Sequence, residues 1–404
     1  MNNRKRVAVF LGGRSPEHDV SVVSGLQVFQ AIDTSKYDPF IVYITPNGEW
    51  YVGDALKERD NYIFTEEKLR MLTKVFLDLS ATGKGILKPE SGGFFSKAKD
   101  IEFDVALPIF HGLIGEDGSF QGLMQLANIP YAGMRAVSCN VFMDKDTTKK
   151  ALSGLDIPQL PCVAIERPEG SLLVDEGDLK KLLEGFEFPC CVKPSHLGSS
   201  IGVGKAESLE DVRSILANIF KLDTKAIIEP FVENLVEYNV AVRRNREGVV
   251  ETSSIERPKT DKELLDFKEK YMSGSGGKKT GGQKTSGNLS EGMLSLTREI
   301  NPEIAEADAT KILQIASKLF EAYDVGGAPR IDFISNGKTG EIWFNELNPI
   351  PGSYAYFLWE AAEQNLLFTD FLSDLIEESF YFHDRLQIPH DPVPKDAQLL
   401  KRVR

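Results

Sequence analysis

The sequence predicts an α/β protein of more than one compact unit. Short apolar runs that read as strands alternate with segments of helical apolar spacing, glycine-containing turns follow several of those runs, and 404 residues exceed one average domain and suggest two or three. The runs at 6–11 and 40–44 flank a segment, 20–32, with helical spacing, and 103–110 reads as a further strand. Phe120, Leu123, Met124 and Ala127 then fall on one helical face. Strand–helix alternation favours a mostly parallel sheet covered on both faces, placed in a first domain over 1–135. Within it, 66–79 reads as a helix and the Gly/Ser/Lys-rich stretch 81–98 as surface.

A second unit, 136–225, opens with a helix after Ser138, continues with strands near 160–165 and 188–193, and has a helix over 207–220. Pro189 and Pro194 bracket the second of these strands, a position that suits strand ends. The third unit, 226–404, opens with strands at 226–229 and 239–243. Apolar residues from Ile304 to Tyr323 mark a helix, 331–334 and 342–344 form a hairpin around Asn336-Gly337, and 366–380 is amphipathic.

The formal net charge of −13, with no basic stripe interleaved with aromatics, makes nucleic acid and anionic membranes poor partners. The run after Arg4-Lys5-Arg6 is too short for a signal core or a membrane span, so a cytoplasmic protein is expected. Cys139, Cys162, Cys190 and Cys191 lack a C-x-x-C pattern and read as buried free thiols.

Chemistry concentrates in four places. Lys193-Pro194-Ser195-His196-Leu197-Gly198-Ser199-Ser200-Ile201-Gly202 puts a lysine at a strand end before a loop of small residues. Such a loop lets backbone N–H groups and hydroxyls approach phosphate oxygens, although a surface turn could carry the same residues and no Walker lysine is present. Glu346 and Asn348 project to one face of a strand, and Asp332 on its neighbour could join them as a hard oxygen site for Mg²⁺. Arg330, two residues from Asp332, could clamp a carboxylate or an oxyanion. Glu229, followed by Pro230-Phe231-Val232, could supply a hinge for a nucleobase, and Glu237 could accept from ribose hydroxyls. The turns after two strands carry Gly12-Gly13-Arg14-Ser15-Pro16-Glu17-His18-Asp19-Val20-Ser21 and His111-Gly112-Leu113-Ile114-Gly115-Glu116-Asp117-Gly118. Ligands usually sit at such turns in α/β sheets. Glu17 could cap a helix or hold an ammonium, and His111 has the most suggestive placement of the five histidines.

These segments, with Gln121-Gly122, Ile129-Pro130-Tyr131-Ala132-Gly133, Met143-Asp144-Lys145, Arg330-Ile331-Asp332, Glu346-Leu347-Asn348 and Pro351-Gly352, follow an order along nearly the whole chain that closely resembles the D-alanine–D-alanine ligase family of the ATP-grasp superfamily. The resemblance implies an ATP-grasp fold of three α/β domains, with ATP between the central and C-terminal ones. It implies an ADP-forming carboxylate–amine ligase that joins two D-alanine molecules through an acyl phosphate for peptidoglycan precursor synthesis. It assigns Lys145 and Lys193 to phosphates, Glu229, Phe231 and Val232 to adenine, and Glu237 to ribose. Asp332, Glu346 and Asn348 would hold two Mg²⁺ or Mn²⁺ ions. Glu17 and His111 would fix the first substrate's ammonium, Ser199 and Ser200 would support that network and the phosphate loop, and Arg330 with the Gly352 N–H would stabilise an oxyanion. Lys270 and Tyr271 resemble the family's lid residues, and a homodimer is implied by family habit.

Two segments depart from the family. After Pro351-Gly352 the chain reads Ser353-Tyr354-Ala355-Tyr356-Phe357-Leu358, with Phe357 where the family places a serine for the second substrate's carboxylate. Either the acceptor differs, as another amino acid or a hydroxy acid, or Ser353, Tyr354 or Tyr356 replaces the contact. The segment 272–290, rich in glycine, reads as a surface insertion or as a lid that orders over the ligands. A non-catalytic nucleotide-binding regulator is the alternative of a different class, and the complete set of lysines and oxygen donors argues against it.

Overall fold

The structure, a computed structural model, describes residues 4–62, 65–80, 83–90, 99–198, 200–259, 298–386 and 397. Ser199, Lys270, Tyr271 and the segment 272–290 lie outside them.

The chain builds three sheets. β1 (Lys5–Gly12) is fully buried along Val7–Leu11 and pairs in parallel with β2 (Tyr37–Ile44) and β7 (Val105–Pro108), so its unbroken apolar run is that of a strand covered on both faces. Val7 and Val9 pack with Val28 and Ile32, on and just beyond helix α1 (His18–Ala31); Ala8 and Phe10 point to the other face, where Phe120 and Met124 of helix α3 (Ser119–Leu126) lie.

The sheet is not mostly parallel. β3 (Trp50–Val52), β4 (Thr73–Leu77), β5 (Gly85–Pro89) and β6 (Ile101–Phe103) extend it from β2 by antiparallel pairings, giving the order β6-β5-β4-β3-β2-β1-β7. The helix expected over 66–79 stops after α2 (Glu66–Arg70), and the β-branched Thr73 and Val75 begin a strand in its place. Strands of three to five residues are too short to announce a period of two, which is why this meander escapes sequence reading.

Helices α4 (Ala136–Met143) and α5 (Lys145–Leu152) lead into a central four-stranded sheet. It comprises β8 (Val163–Glu166), β9 (Cys190–Pro194), β10 (Gly204–Ala206) and β11 (Lys225–Pro230), with α6 (Glu176–Leu182) and α7 (Leu209–Ile219) packed on it. β11 was expected to open the third unit, but it hydrogen-bonds between β8 and β9 in the central sheet. The third sheet contains β12 (Leu235–Arg244), β13 (Val250–Thr252), β14 (Glu256–Pro258), β15 (Arg298–Ile300), β16 (Arg330–Asn336) and β17 (Ile342–Asn348), backed by α8 (Glu306–Ala322).

After β17 a turn at Gly352–Ala355 and helix α9 (Tyr356–Glu360) return the chain to the first sheet, and α10 (Phe368–Arg385) packs on it. Tyr354, Leu358, Trp359, Phe371, Leu375 and Ile376 share one apolar cluster with Val7, Val9 and Leu107. Tyr354 is fully buried and its hydroxyl donates to the Pro108 carbonyl at 3.0 Å. Tyr354→Phe leaves that carbonyl unpaired in the core, and a loss of about 1–3 kcal/mol in stability by urea denaturation is expected, because an unmade buried hydrogen bond costs its desolvation.

Candidate active site

The central and third sheets face each other across a cleft. Lys145, Lys193, Ser200, Glu229, Phe231, Val232, Glu237, Asp332 and Glu346 all line it, so nine residues from distant parts of the sequence converge as expected.

On the central side, Glu229 is buried at the end of β11, with Lys193 on the neighbouring β9. Lys193 Nζ lies 2.7 Å from Glu229 Oε2, and Lys149 Nζ lies 2.6 Å from Oε1. Burial pushes the Glu229 carboxyl up, but the two ammonium charges outweigh it and hold the group below the usual carboxylate range. Burial likewise works against the Lys193 charge, and Glu229 overrides it, raising that lysine. Pro230, Phe231 and Val232 line the cleft beside Glu229, whose carboxylate is held by the two lysines. Lys149 was not anticipated, although it lies one helical turn after Lys145.

Lys193 Nζ also donates to Asn345 Oδ1 at 3.1 Å and so crosses the cleft. The pairing of β16 with β17 makes this possible. Asp332 faces Glu346 and Phe333 faces Phe344, leaving Asn345 as the extra residue at a register shift. A bulge of this kind re-aims one side chain, here towards the lysine.

The same pairing sets Asp332 directly opposite Glu346 and Arg330 directly opposite Asn348. Two-residue spacing keeps all four on one sheet face. Arg330 grips Asp332 through two bonds of 2.7 Å, from Nε to Oδ1 and from Nη2 to Oδ2. Lys145, at the start of α5, places Nζ 3.2 Å from Glu346 Oε2 and donates to the Leu197 carbonyl at 2.8 Å. Two carboxylates and an amide oxygen on one face suit a hard divalent cation, and each carboxylate already has a positive charge beside it. Among the described residues no group of three or more His, Cys, Asp or Glu forms a metal cluster; the donor set here is two carboxylates with Asn348.

Near Lys145 and Lys193, Asp144 caps α5 by accepting from the N–H groups of Asp146 and Thr147. The same carboxylate takes Ser195 Oγ at 2.6 Å and Lys225 Nζ at 2.9 Å, and His196 Nε2 lies 3.4 Å away. His196 Nδ1 meets Asp223 Oδ1 at 2.7 Å. This ties the strand-end loop to the helix that carries Lys145.

The first domain closes the site from another side. Gly112 adopts φ +80°, and a Cβ there would meet Glu17 Oε2 at 2.8 Å and Ser15 Oγ at 2.4 Å, so the loop admits no larger residue without displacing Glu17. A Cβ on Gly198 would stand 3.4 Å from the same carboxylate oxygen, which brings Glu17 against the serine loop. Glu17 makes no capping bond to α1. His111 is buried, with Nε2 3.1 Å from Ser24 Oγ; that hydroxyl in turn accepts from the Ser353 N–H at 3.3 Å. Burial, reinforced by the Arg330 charge, lowers the His111 pKa to about 4, so its ring is neutral at neutral pH. Glu116, quoted in the motif without a role, accepts from Gly112 N at 2.6 Å and Ile350 N at 3.0 Å and so joins the first domain to the turn before Gly352.

The segment after Gly352 departs from expectation. Ser353, Tyr354 and Ala355 have φ of 47°, 55° and 50°, a left-handed run that turns their side chains inward. The Ser353 hydroxyl donates to Gln27 Oε1 and the Tyr354 hydroxyl to the Pro108 carbonyl. Phe357 lies on α9 with the Arg298 guanidinium 4.5 Å above its ring.

Two family profiles cover most of the chain. The D-ala D-ala ligase N-terminus profile matches residues 6–134 and the D-ala D-ala ligase C-terminus profile matches 151–377. The chain belongs to the D-alanine–D-alanine ligase family. It is 33% identical to the D-alanine–D-alanine ligase of Clostridium acetobutylicum over 380 residues, 93% of this chain and 97% of that one. It is 30% identical to the ligase of Thermoanaerobacter sp. strain X514 over 390 residues, 94% and 98% of the two chains. In fold it resembles the D-alanine–D-alanine ligase of Coxiella burnetii, with TM-score 0.74, 24% identity and 95% of each chain covered. It also resembles the VanG D-Ala:D-Ser ligase of Enterococcus faecalis, with TM-score 0.72, 24% identity and 93% and 100% covered. As a member of this family the chain is an ATP-grasp carboxylate–amine ligase. No helix among the described residues is long and apolar enough to cross a membrane.

Two measurements check the site's electrostatics. Lys149→Met leaves the buried Glu229 with Lys193 as its one counter-charge in place of two, and a loss of about 1.5–3 kcal/mol in urea stability is expected from the lost charged hydrogen bond. Burial, with the Glu17 charge second, pushes the Glu116 carboxyl from 4.5 up to about 8 against its two N–H donors. A carboxyl that holds its proton more tightly when folded stabilises the fold fully below its unfolded pKa and loses that contribution as pH rises through its folded one. Stability is therefore expected to fall between about pH 4.5 and 8, and Glu116→Gln to flatten that fall.

Proposed function

We propose that the protein joins two molecules of D-alanine, with ATP converted to ADP and phosphate, to supply the dipeptide for peptidoglycan precursors. Family membership supports the reaction class, and one observation carries the assignment to this cleft: Lys145 and Lys193 sit on one wall and reach Glu346 and Asn345 on the other. A polyphosphate entering there meets two ammonium groups aimed between the sheets.

In the proposed reaction a carboxylate oxygen of the first D-alanine attacks the γ-phosphorus and the bond to ADP breaks. The amine of the second, as the free base, then attacks the acyl carbon; the bond to phosphate breaks and the nitrogen loses a proton. Activation is needed because a carboxylate oxygen leaves poorly and phosphate leaves well. Lys145 and Lys193 steady the phosphates, the 230–232 wall receives adenine, and Glu237 receives ribose. Ser200, with φ 58° in the loop facing Glu17, supports the phosphate loop together with Ser199. Glu17 binds the first ammonium. Neutral His111 adds no competing positive charge and orients Ser24 beside Gly352. Arg330 and the Gly352 N–H face the developing oxyanion. Asp332, Glu346 and Asn348 would hold two Mg²⁺ or Mn²⁺ ions, which would neutralise phosphate charge. Acyl phosphates hydrolyse readily, so the reaction requires that water be kept from the site. A cytoplasmic homodimer belongs to the same reading.

The test is ADP release by the purified protein with ATP, Mg²⁺ and D-alanine, with the product identified by mass. D-alanyl-D-alanine is expected, and L-alanine is not expected to replace the substrate. Absence of D-alanine-dependent ADP release would reject the reading in favour of a nucleotide-binding regulator.

A further inference from the structure

A row of polar side chains crosses the third sheet from the proposed metal site to its far edge. Glu346 faces Asp332, Asp332 faces Asn239, and Asn239 faces Glu256 on successive strands, so all four share one sheet face. The Asn239 amide nitrogen donates to Glu256 Oε2 at 3.3 Å in one orientation of the amide and to Asp332 Oδ1 at 3.2 Å in the other. Glu256 is buried, and the row ends at Arg298, whose Nη1 lies 2.9 Å from Glu256 Oε1.

Arg298 does more than balance Glu256. Its guanidinium carbon lies 4.5 Å from the centre of the Phe357 ring, within cation–π distance. Its Nε is buried and has no acceptor. A guanidinium N–H buried without a partner is costly, and an anion brought to that edge would satisfy it. Strand spacing places β15 roughly 14 Å from Asp332, a span that an arginine side chain and one amino acid cover together. Phe357 stands five residues after Gly352, where the family resemblance places the acceptor's carboxylate.

The geometry points to Arg298 as a specificity-determining residue that binds the carboxylate of the acceptor amino acid, with Phe357 as the platform that orients it. A charged, planar donor thereby replaces the hydroxyl that Phe357 cannot supply. The acceptor is an amino acid with a free α-carboxylate. This inference rests on the ligase reading, and it concerns only the second substrate.

The experiment compares D-alanine with D-alaninamide as acceptor, the amide lacking the anionic carboxylate. The full-length protein makes the acyl phosphate from D-alanine, ATP and Mg²⁺, and hydroxylamine trapping as the hydroxamate measures that half-reaction separately. The wild type is expected to prefer D-alanine, and Arg298→Met to reduce the preference in kcat/KM on the order of tenfold or more while hydroxamate formation continues. Arg298→Lys is expected to restore part of the preference, which a purely structural role would not do. The double variant Arg298→Met/Glu256→Gln removes both partners of the buried pair and serves if the single variant does not fold. An unchanged preference with hydroxamate still forming would overturn the assignment of Arg298 and leave the ligase reading standing. Absence of hydroxamate in the wild type would overturn both.

Discussion

The site depends on two carboxylates that face each other. Asp332 and Glu346 are register partners on adjacent strands, where like charges repel unless something positive stands between or beside them. Arg330 closes on one and Lys145 on the other. Lys145 comes from the helix capped by Asp144, so a charge problem on the third sheet is solved by a residue from the other wall of the cleft. Glu229, between Lys149 and Lys193, repeats the arrangement in reverse, with a buried carboxylate held by two cations. Under the proposed reading, phosphates would compete for the lysines and divalent cations for the carboxylates, so that one set of neutralising partners would replace another without leaving a buried charge alone.

Packing supplies the second requirement, that loops from both ends of the chain meet. The cluster of Val7, Val9 and Leu107 with Trp359, Phe371 and Leu375 docks the C-terminal helices on the first sheet. Gly352 and Ser353 leave β17 and arrive beside Ser24 on α1 because that seam holds them there. The left-handed run at 353–355 costs backbone energy, on the order of 1–3 kcal/mol per residue, and the burial of Tyr354 and Ala355 offsets it.

Much of this was legible in the sequence. Asn336-Gly337 between two apolar runs marked the hairpin, and two-residue spacing alone put Arg330 beside Asp332 and Glu346 beside Asn348. The strand-end lysine and the small-residue loop marked one wall of the cleft. Other features left no local trace. The register shift that frees Asn345 exists only once β16 and β17 pair. Lys149 looked like any helix-surface lysine until β11 brought Glu229 to it. The row through Asn239 and Glu256 joins strands far apart in sequence, and the meander that makes the first sheet largely antiparallel is built of strands too short to show their period.

The central claim is that the paired carboxylates exist to hold cations on a nucleotide, and titration of Mn²⁺ in the presence of ADP, followed by electron paramagnetic resonance, tests it most directly. Wild type is expected to bind Mn²⁺ in an ADP-dependent manner, and the double variant Asp332→Asn/Glu346→Gln, with its thermal unfolding still cooperative, to lose that binding. Undiminished Mn²⁺ binding by the double variant would contradict the account.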